Sequence, residues 1–201
     1  QGSLIDKDNL ISYEVEDLSP SLNTKDVIET IDQLKKSKRP VLVAGHGIKI
    51  ADGKNELLKF IEKINIPTLS TFNGFDLMSS HSPNFIGRIG TLGSRGGNFA
   101  LQNADLIICL GTRNNIRQIS YEWSTFGRNA KIIIIDVDEA ELNKKTVQGD
   151  ILIHSDAKSF LTKIIELLPE DYNVKESWLE WCQLRKHKYP VVLEEYKIEN
   201  E

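Results

Sequence analysis

Two rhythms of apolar residues alternate along this chain. Val27, Ile28, Ile31 and Leu34 fall at i, i+1, i+4 and i+7, which is one face of an α-helix capped by Asn23 or Thr24 and ended by Pro40. Lys35, Lys36 and Lys38 crowd its last turn, where cations favour the helix dipole. Leu57, Leu58, Ile61 and Ile64 mark a second amphipathic helix, residues 97–103 a short third, and Phe160, Ile164, Leu167 and Leu168 a closing one. Between them lie VLVA (41–44), IPTLST (66–71), DLIICLG (105–111), residues 131–137 and the short 151–153. These runs do not alternate, so each predicts a strand buried on both faces. Such strands interleaved with helices predict an α/β fold: a parallel sheet covered by helices on both faces, with right-handed crossovers.

The stretches between these elements read differently. Residues 45–53 predict a loop, and the glycine-rich polar stretch before residue 97 argues against a packed element there. Residues 1–22, polar and carrying DLSPS, predict a linker or covering arm. The tail from about Val174 predicts a helix and then an extended segment; residues 171–201 are expected to lead toward a further domain.

Composition narrows the function classes. A net charge of −4 gives no electrostatic reason to expect nucleic acid or an anionic membrane as partner. No apolar run approaches the roughly 20 residues that a membrane helix needs, and no signal peptide is visible. The two cysteines, Cys109 and Cys182, cannot make a four-cysteine zinc site, and their contexts suggest a reducing, cytoplasmic setting. The first residue is Gln1, so a piece of a longer polypeptide is expected.

A search for catalytic groups fails. His46, His81, His154 and His187 show no metal-ligand spacing, and neither a GxSxG elbow nor a GxxxxGK[ST] loop occurs. Binding features are richer. In Gly45-His46-Gly47 a buried strand runs into a glycine turn, the place where open α/β sheets hold ligands. The turn lacks a third glycine, so a tight corner is an equal alternative. FIGRIGTLGSRGGNFA (85–100) carries glycines at 87, 90, 93, 96 and 97, which would let backbone N–H groups approach an anion. Four of the seven arginines, Arg88, Arg95, Arg113 and Arg117, fall within 30 residues, and their planar forks suit phosphate. The alternative is a surface loop with incidental arginines. Strand IIIIDVD ends in Asp136, placed for a ribose hydroxyl, and Asp138, placed to cap the next helix; Asp156 poses the same choice.

In order, the segments RPVLVAGHGI, IPTLSTFNG, GRIGTLG, NADLIICLGTRNNIRQ, AKIIIIDVDEAEL and HSDAKSFL resemble the central domain of thiamine-diphosphate-dependent enzymes of the acetolactate synthase type, over about residues 24–168. The resemblance implies a three-layer Rossmann-like domain, bounded at about 23–170, with a mostly parallel, six-stranded sheet. Two catalytic domains outside this chain would hold thiamine diphosphate and Mg²⁺, in a homodimer or homotetramer that forms or breaks C–C bonds of 2-keto acids. The domain itself would hold FAD, ADP or nothing, and would have no catalytic residues. The resemblance places Gly45, Gly47, Thr71, Phe72, Gly90, Gly93, Arg113, Arg117, Asp136 and Asp156 along that cofactor.

The chain departs from the family at Thr91 and Leu92, where methionine and histidine are usual, and at Asn115 and Ile116, where aspartates are usual. Arg88 and Arg95 are additional charges. QGD (148–150) is not the GDG diphosphate motif, and the thiamine-activating glutamate belongs to the first domain. Two rival readings remain: a sirtuin-like NAD-dependent deacylase, which two cysteines disfavour, and a ligand-free scaffold domain.

Overall fold

The computed structural model describes Asp6, Asp8, Leu10 and residues 20–197. The arm expected over residues 1–22 lies mostly outside the described residues.

Helix α1 (Thr24–Lys36) starts where Asn23 accepts a hydrogen bond from the N–H of Lys25, and it buries Val27, Ile31 and Leu34. Ile28 stays exposed, and Lys38 lies beyond the helix end. Strand β1 (Pro40–Ala44) follows, so Pro40 opens a strand, at a position where its missing N–H costs little. The expected loop contains a four-residue helical turn, α2 (Gly47–Ile50), before α3 (Lys54–Ile64). In α3, Leu57, Ile61 and Ile64 are buried, whereas Leu58 is exposed. Then come β2 (Thr68–Ser70), β3 (Phe85–Arg88), α4 (Arg95–Asn103), β4 (Leu106–Leu110), α5 (Ile116–Ile119), β5 (Lys131–Asp136), α6 (Glu139–Leu142), β6 (Ile151–His154), α7 (Ala157–Leu167) and α8 (Glu176–Lys188).

The six strands form one parallel sheet in the order β3-β2-β1-β4-β5-β6. Helices α1, α3 and α7 pack together, α4 and α8 pack together, and the fold is the three-layer Rossmann-like arrangement. Strands β1, β4 and β5 are buried almost throughout, as their unbroken apolar runs require.

Strand β3 corrects the expectation that the glycine-rich stretch holds no packed element. Phe85–Arg88 pairs with β2 at the sheet edge, with a register shift at Thr68/Leu69. Only Ile86 and Gly87 are buried in it, so apolar character was too sparse to mark it. Helix α8 supports this edge: Lys186 Nζ donates to the carbonyls of Ser80 and Phe85 at 2.9 and 2.7 Å. Trp178 of α8 is buried and donates its indole N–H to the Pro40 carbonyl at 2.9 Å. At the amino edge of the sheet, Asp105 ties α1 to β1: its carboxylate accepts from Ser37 and from the N–H groups of Lys38 and Arg39. Cys109 and Cys182 are both free and buried, each thiol pushed up to about 12 by desolvation. Among the described residues no helix is long and apolar enough to cross a membrane.

Candidate functional site

All six strands point the same way, so their carboxyl ends emerge on one edge of the sheet. The order reverses between β1 and β4, the switch point at which doubly wound folds open a crevice. A groove of about 890 Å³ runs along this edge and takes residues from beyond every strand. Neighbouring strands lie about 4.8 Å apart, so five spacings give it a length of roughly 24 Å.

The groove is chemically divided along that length. Its β3–β2 end carries Phe72, Ile89 and Leu92, with Arg88 beside them. Its middle, after β1 and β4, carries His46, Arg113 and Arg117. Its β5–β6 end carries Asp136, Asp138, Glu141 and Asp156. Among the described residues Arg88 and Arg117 form no ion pair, while Arg113 Nε holds Glu141 at 2.9 Å. Lys144 holds the other oxygen of Glu141, at 2.7 Å. Burial works against a charge on Glu141, but these two cations outweigh it and lower its pKa.

The β4–α5 segment is tied together by side-chain hydrogen bonds. Gln118 is buried and donates to Thr112 Oγ1 at 3.2 Å and Asn114 Oδ1 at 3.0 Å. The helix here begins only at Ile116, with Asn115 as its cap, so Arg113 and Arg117 do not share a helical face. They reach the groove from a loop and from a helical turn.

Of the residues that the resemblance placed along a cofactor, Gly47, Thr71, Phe72, Arg113, Arg117, Asp136 and Asp156 line the groove; Gly45, Gly90 and Gly93 do not. A Cβ on Gly45 would lie 2.1 Å from the Gly111 carbonyl oxygen, so this glycine lets β1 and β4 close up at their ends. Three of the turn's N–H groups are also committed: Gly45 donates to Leu110, Gly47 to Gly111 and Ile48 to Gly45. Gly90 is clamped by Asn98, which accepts from its N–H at 2.9 Å and donates to its carbonyl at 3.0 Å. The Thr91 N–H donates to the Arg117 carbonyl, so the glycine loop is packed against α5.

Asp138 caps α6, and Asp156 caps α7 while also lining the groove. Asp136 is buried; one oxygen accepts from the Asp138 N–H at 3.0 Å, and desolvation raises its pKa despite that bond. Sequence reasoning did not single out Glu141 or the Gln118 network, since neither follows from a local motif. His46 lay between the two glycines of the turn, and its own part in the groove was passed over.

The thiamine pyrophosphate enzyme central domain family matches residues 27–164, more than half the chain. The chain is 33% identical to a probable acetolactate synthase large subunit of Methanococcus aeolicus, over 84% of this chain and 30% of that protein. It is 32% identical to the probable acetolactate synthase large subunit of Methanocaldococcus jannaschii (92% and 31%), and 35% identical to the acetolactate synthase large subunit of Lactococcus lactis (83% and 28%). The chain thus spans about three-tenths of the length of these relatives. On this match, and on the six-stranded parallel fold, the chain belongs to the central-domain family of thiamine pyrophosphate enzymes.

Proposed function

We propose that this chain is the nucleotide-holding central domain of an acetolactate synthase-like enzyme, and that its groove takes an adenine dinucleotide of the FAD type. One observation carries the reading: charge is divided along the groove in the order such a ligand needs. Buried Asp136 has a carboxylate suited to ribose hydroxyls. Arg113 and Arg117 lie in the middle, where a diphosphate would sit, and Arg117 has no ion pair among the described residues. Phe72, Ile89 and Leu92 offer an apolar wall to a second ring system. ADP would use the acidic end and the middle only, so the apolar end and the length of roughly 24 Å favour the dinucleotide. With the N–H groups of both turn glycines committed inside the protein, the diphosphate falls mainly to the arginine side chains.

In this reading the domain contributes binding and spacing. Its missing neighbours supply thiamine diphosphate and Mg²⁺, which act on 2-keto acids in the cytoplasm. Titration of FAD and ADP into the chain and into the full-length polypeptide tests it. Charge-assisted hydrogen bonds contribute about 1.5–3 kcal/mol each, so an Arg113→Ala, Arg117→Ala double variant should bind about a hundredfold more weakly or worse. If neither preparation binds FAD or ADP at millimolar concentration, the groove is vestigial and the domain is a spacer.

A further inference from the structure

We propose that the outward face of α8 is a docking surface for a second copy of this chain, the two helices meeting antiparallel about a two-fold axis at Leu184. This surface lies apart from the groove, which no residue of α8 lines.

Helix α8 carries apolar residues on two faces. On the inner one Trp178 and Cys182 are buried. There the helix is fastened by Trp178 to Pro40, by Lys186 to Ser80 and Phe85, and just past its end by the Tyr189 ring, 5.3 Å from that of Phe99. Leu184 stands on the outer face, 60% exposed, and Val191 and Val192 beyond the helix are exposed too. A helix with one covered side ordinarily keeps its apolar residues there, so those on the second face call for a second cover.

The charges around Leu184 name the occupant. Glu180 lies four residues before it and Lys188 four after it, both exposed, and this spacing puts all three on one stripe. At 1.5 Å per residue each charge stands about 6 Å from Leu184 along the helix. The segregation extends further: Glu176 joins Glu180 in the amino half, and Arg185, Lys186, His187 and Lys188 fill the last turn. Two of those cations are engaged within the chain, Arg185 over the Trp181 ring at 3.8 Å and Lys186 at its two carbonyls. Among the described residues Glu176, Glu180, His187 and Lys188 form no ion pair. Glu176 and Glu180, four apart on the helix, repel each other.

This order of charge suits the helix's own dipole, and it also makes the face self-complementary. A two-fold axis at Leu184 reverses the second helix. Glu180 of each copy then falls opposite the Lys188 end of the other, and the two leucines cover each other at an interaxial distance of about 8–10 Å. An unrelated partner would require no such inversion about one apolar residue. One helix pair is a small interface, so the association is weak and salt-sensitive.

Sedimentation velocity of the chain at rising concentration, to about 1 mM, tests this. The expected result is a monomer–dimer equilibrium that added salt weakens. Leu184→Lys should weaken it about a hundredfold, because the apolar contact is lost from both copies and two like charges meet at the axis. Glu180→Lys and Lys188→Glu should each weaken it about tenfold or more. The Glu180→Lys, Lys188→Glu double variant should recover most of the affinity, since the exchanged face is again self-complementary. Thermal melts of the variants should match that of the unmodified chain, as these positions are exposed. A chain that stays monomeric to about 1 mM, or a dimer indifferent to Leu184→Lys, overturns the proposal. So does loss of association in both single charge variants with no recovery in the double one.

Discussion

Replacing Gly45 by alanine separates a tight corner from a phosphate cradle. The added Cβ would lie 2.1 Å from the Gly111 carbonyl oxygen and 2.6 Å from its carbon. Real Cβ atoms keep at least 3.0 Å, so one strand end must retreat by about 0.9 Å. The obstacle is backbone, and no rotamer change relieves it. The retreat strains two short hydrogen bonds, Gly45 N–H to Leu110 and Gly47 N–H to Gly111, both 2.9 Å. Overpacking of this kind costs about 1–3 kcal/mol. Two weakened buried hydrogen bonds add about 0.5–1.5 kcal/mol each. The sum is about 2–6 kcal/mol. At about 2–4 °C per kcal/mol for a chain of this size, the melting temperature of the ligand-free protein should fall by roughly 4 °C or more. Gly53→Ala is the control: its Cβ would approach Lys158 at 3.2 Å, a contact that small shifts relieve, and it should cost under about 1 kcal/mol. Differential scanning calorimetry without ligand reads both. A Gly45→Ala protein that melts like the unmodified chain but has lost nucleotide affinity would refute the argument, and would restore the glycine as a ligand contact.

Two carboxylates should respond to pH with opposite sign. Desolvation raises the pKa of Asp136 in the folded protein, so its stabilising protonated form is lost as pH rises through that raised value; Asp136→Asn should therefore melt higher than the unmodified chain at neutral pH yet bind nucleotide more weakly. Burial also opposes charge on Asp105, but bonds from Ser37, Lys38 and Arg39 outweigh it and lower its pKa, so its contribution is present above the ordinary carboxylate range and lost as pH falls through the lowered value. Asp105→Asn should melt lower than the unmodified chain at neutral pH, and the gap should close in acid; a gap independent of pH would contradict this. The chain alone should show no carboligase or decarboxylase activity and no thiamine diphosphate binding, and micromolar affinity in a calorimetric titration with Mg²⁺ present would contradict that.

Burial periodicity made most of the sheet legible in the sequence, because a strand covered on both faces must be apolar throughout. VLVA, LIICL and IIII each became a strand for that reason. The helix faces were legible to within a residue, although Ile28 and Leu58 sit on face edges that nothing covers. Capping was local enough to read too: Asn23, Asp138 and Asp156 each bond an N–H two or three residues on. What tertiary structure alone decided is whatever depends on partners distant in the chain. Strand β3 exists because β2 and α8 receive it, not because of its own composition. Gly45 is required by Gly111, and Gly90 is set by Asn98 and α5, whereas the resemblance placed both along the cofactor. The Asn73 carbonyl that orients His46 lies 27 residues away. A one-dimensional pattern records how deeply each residue is buried; which backbone donors remain for a ligand is settled only when the fold has assigned all the others.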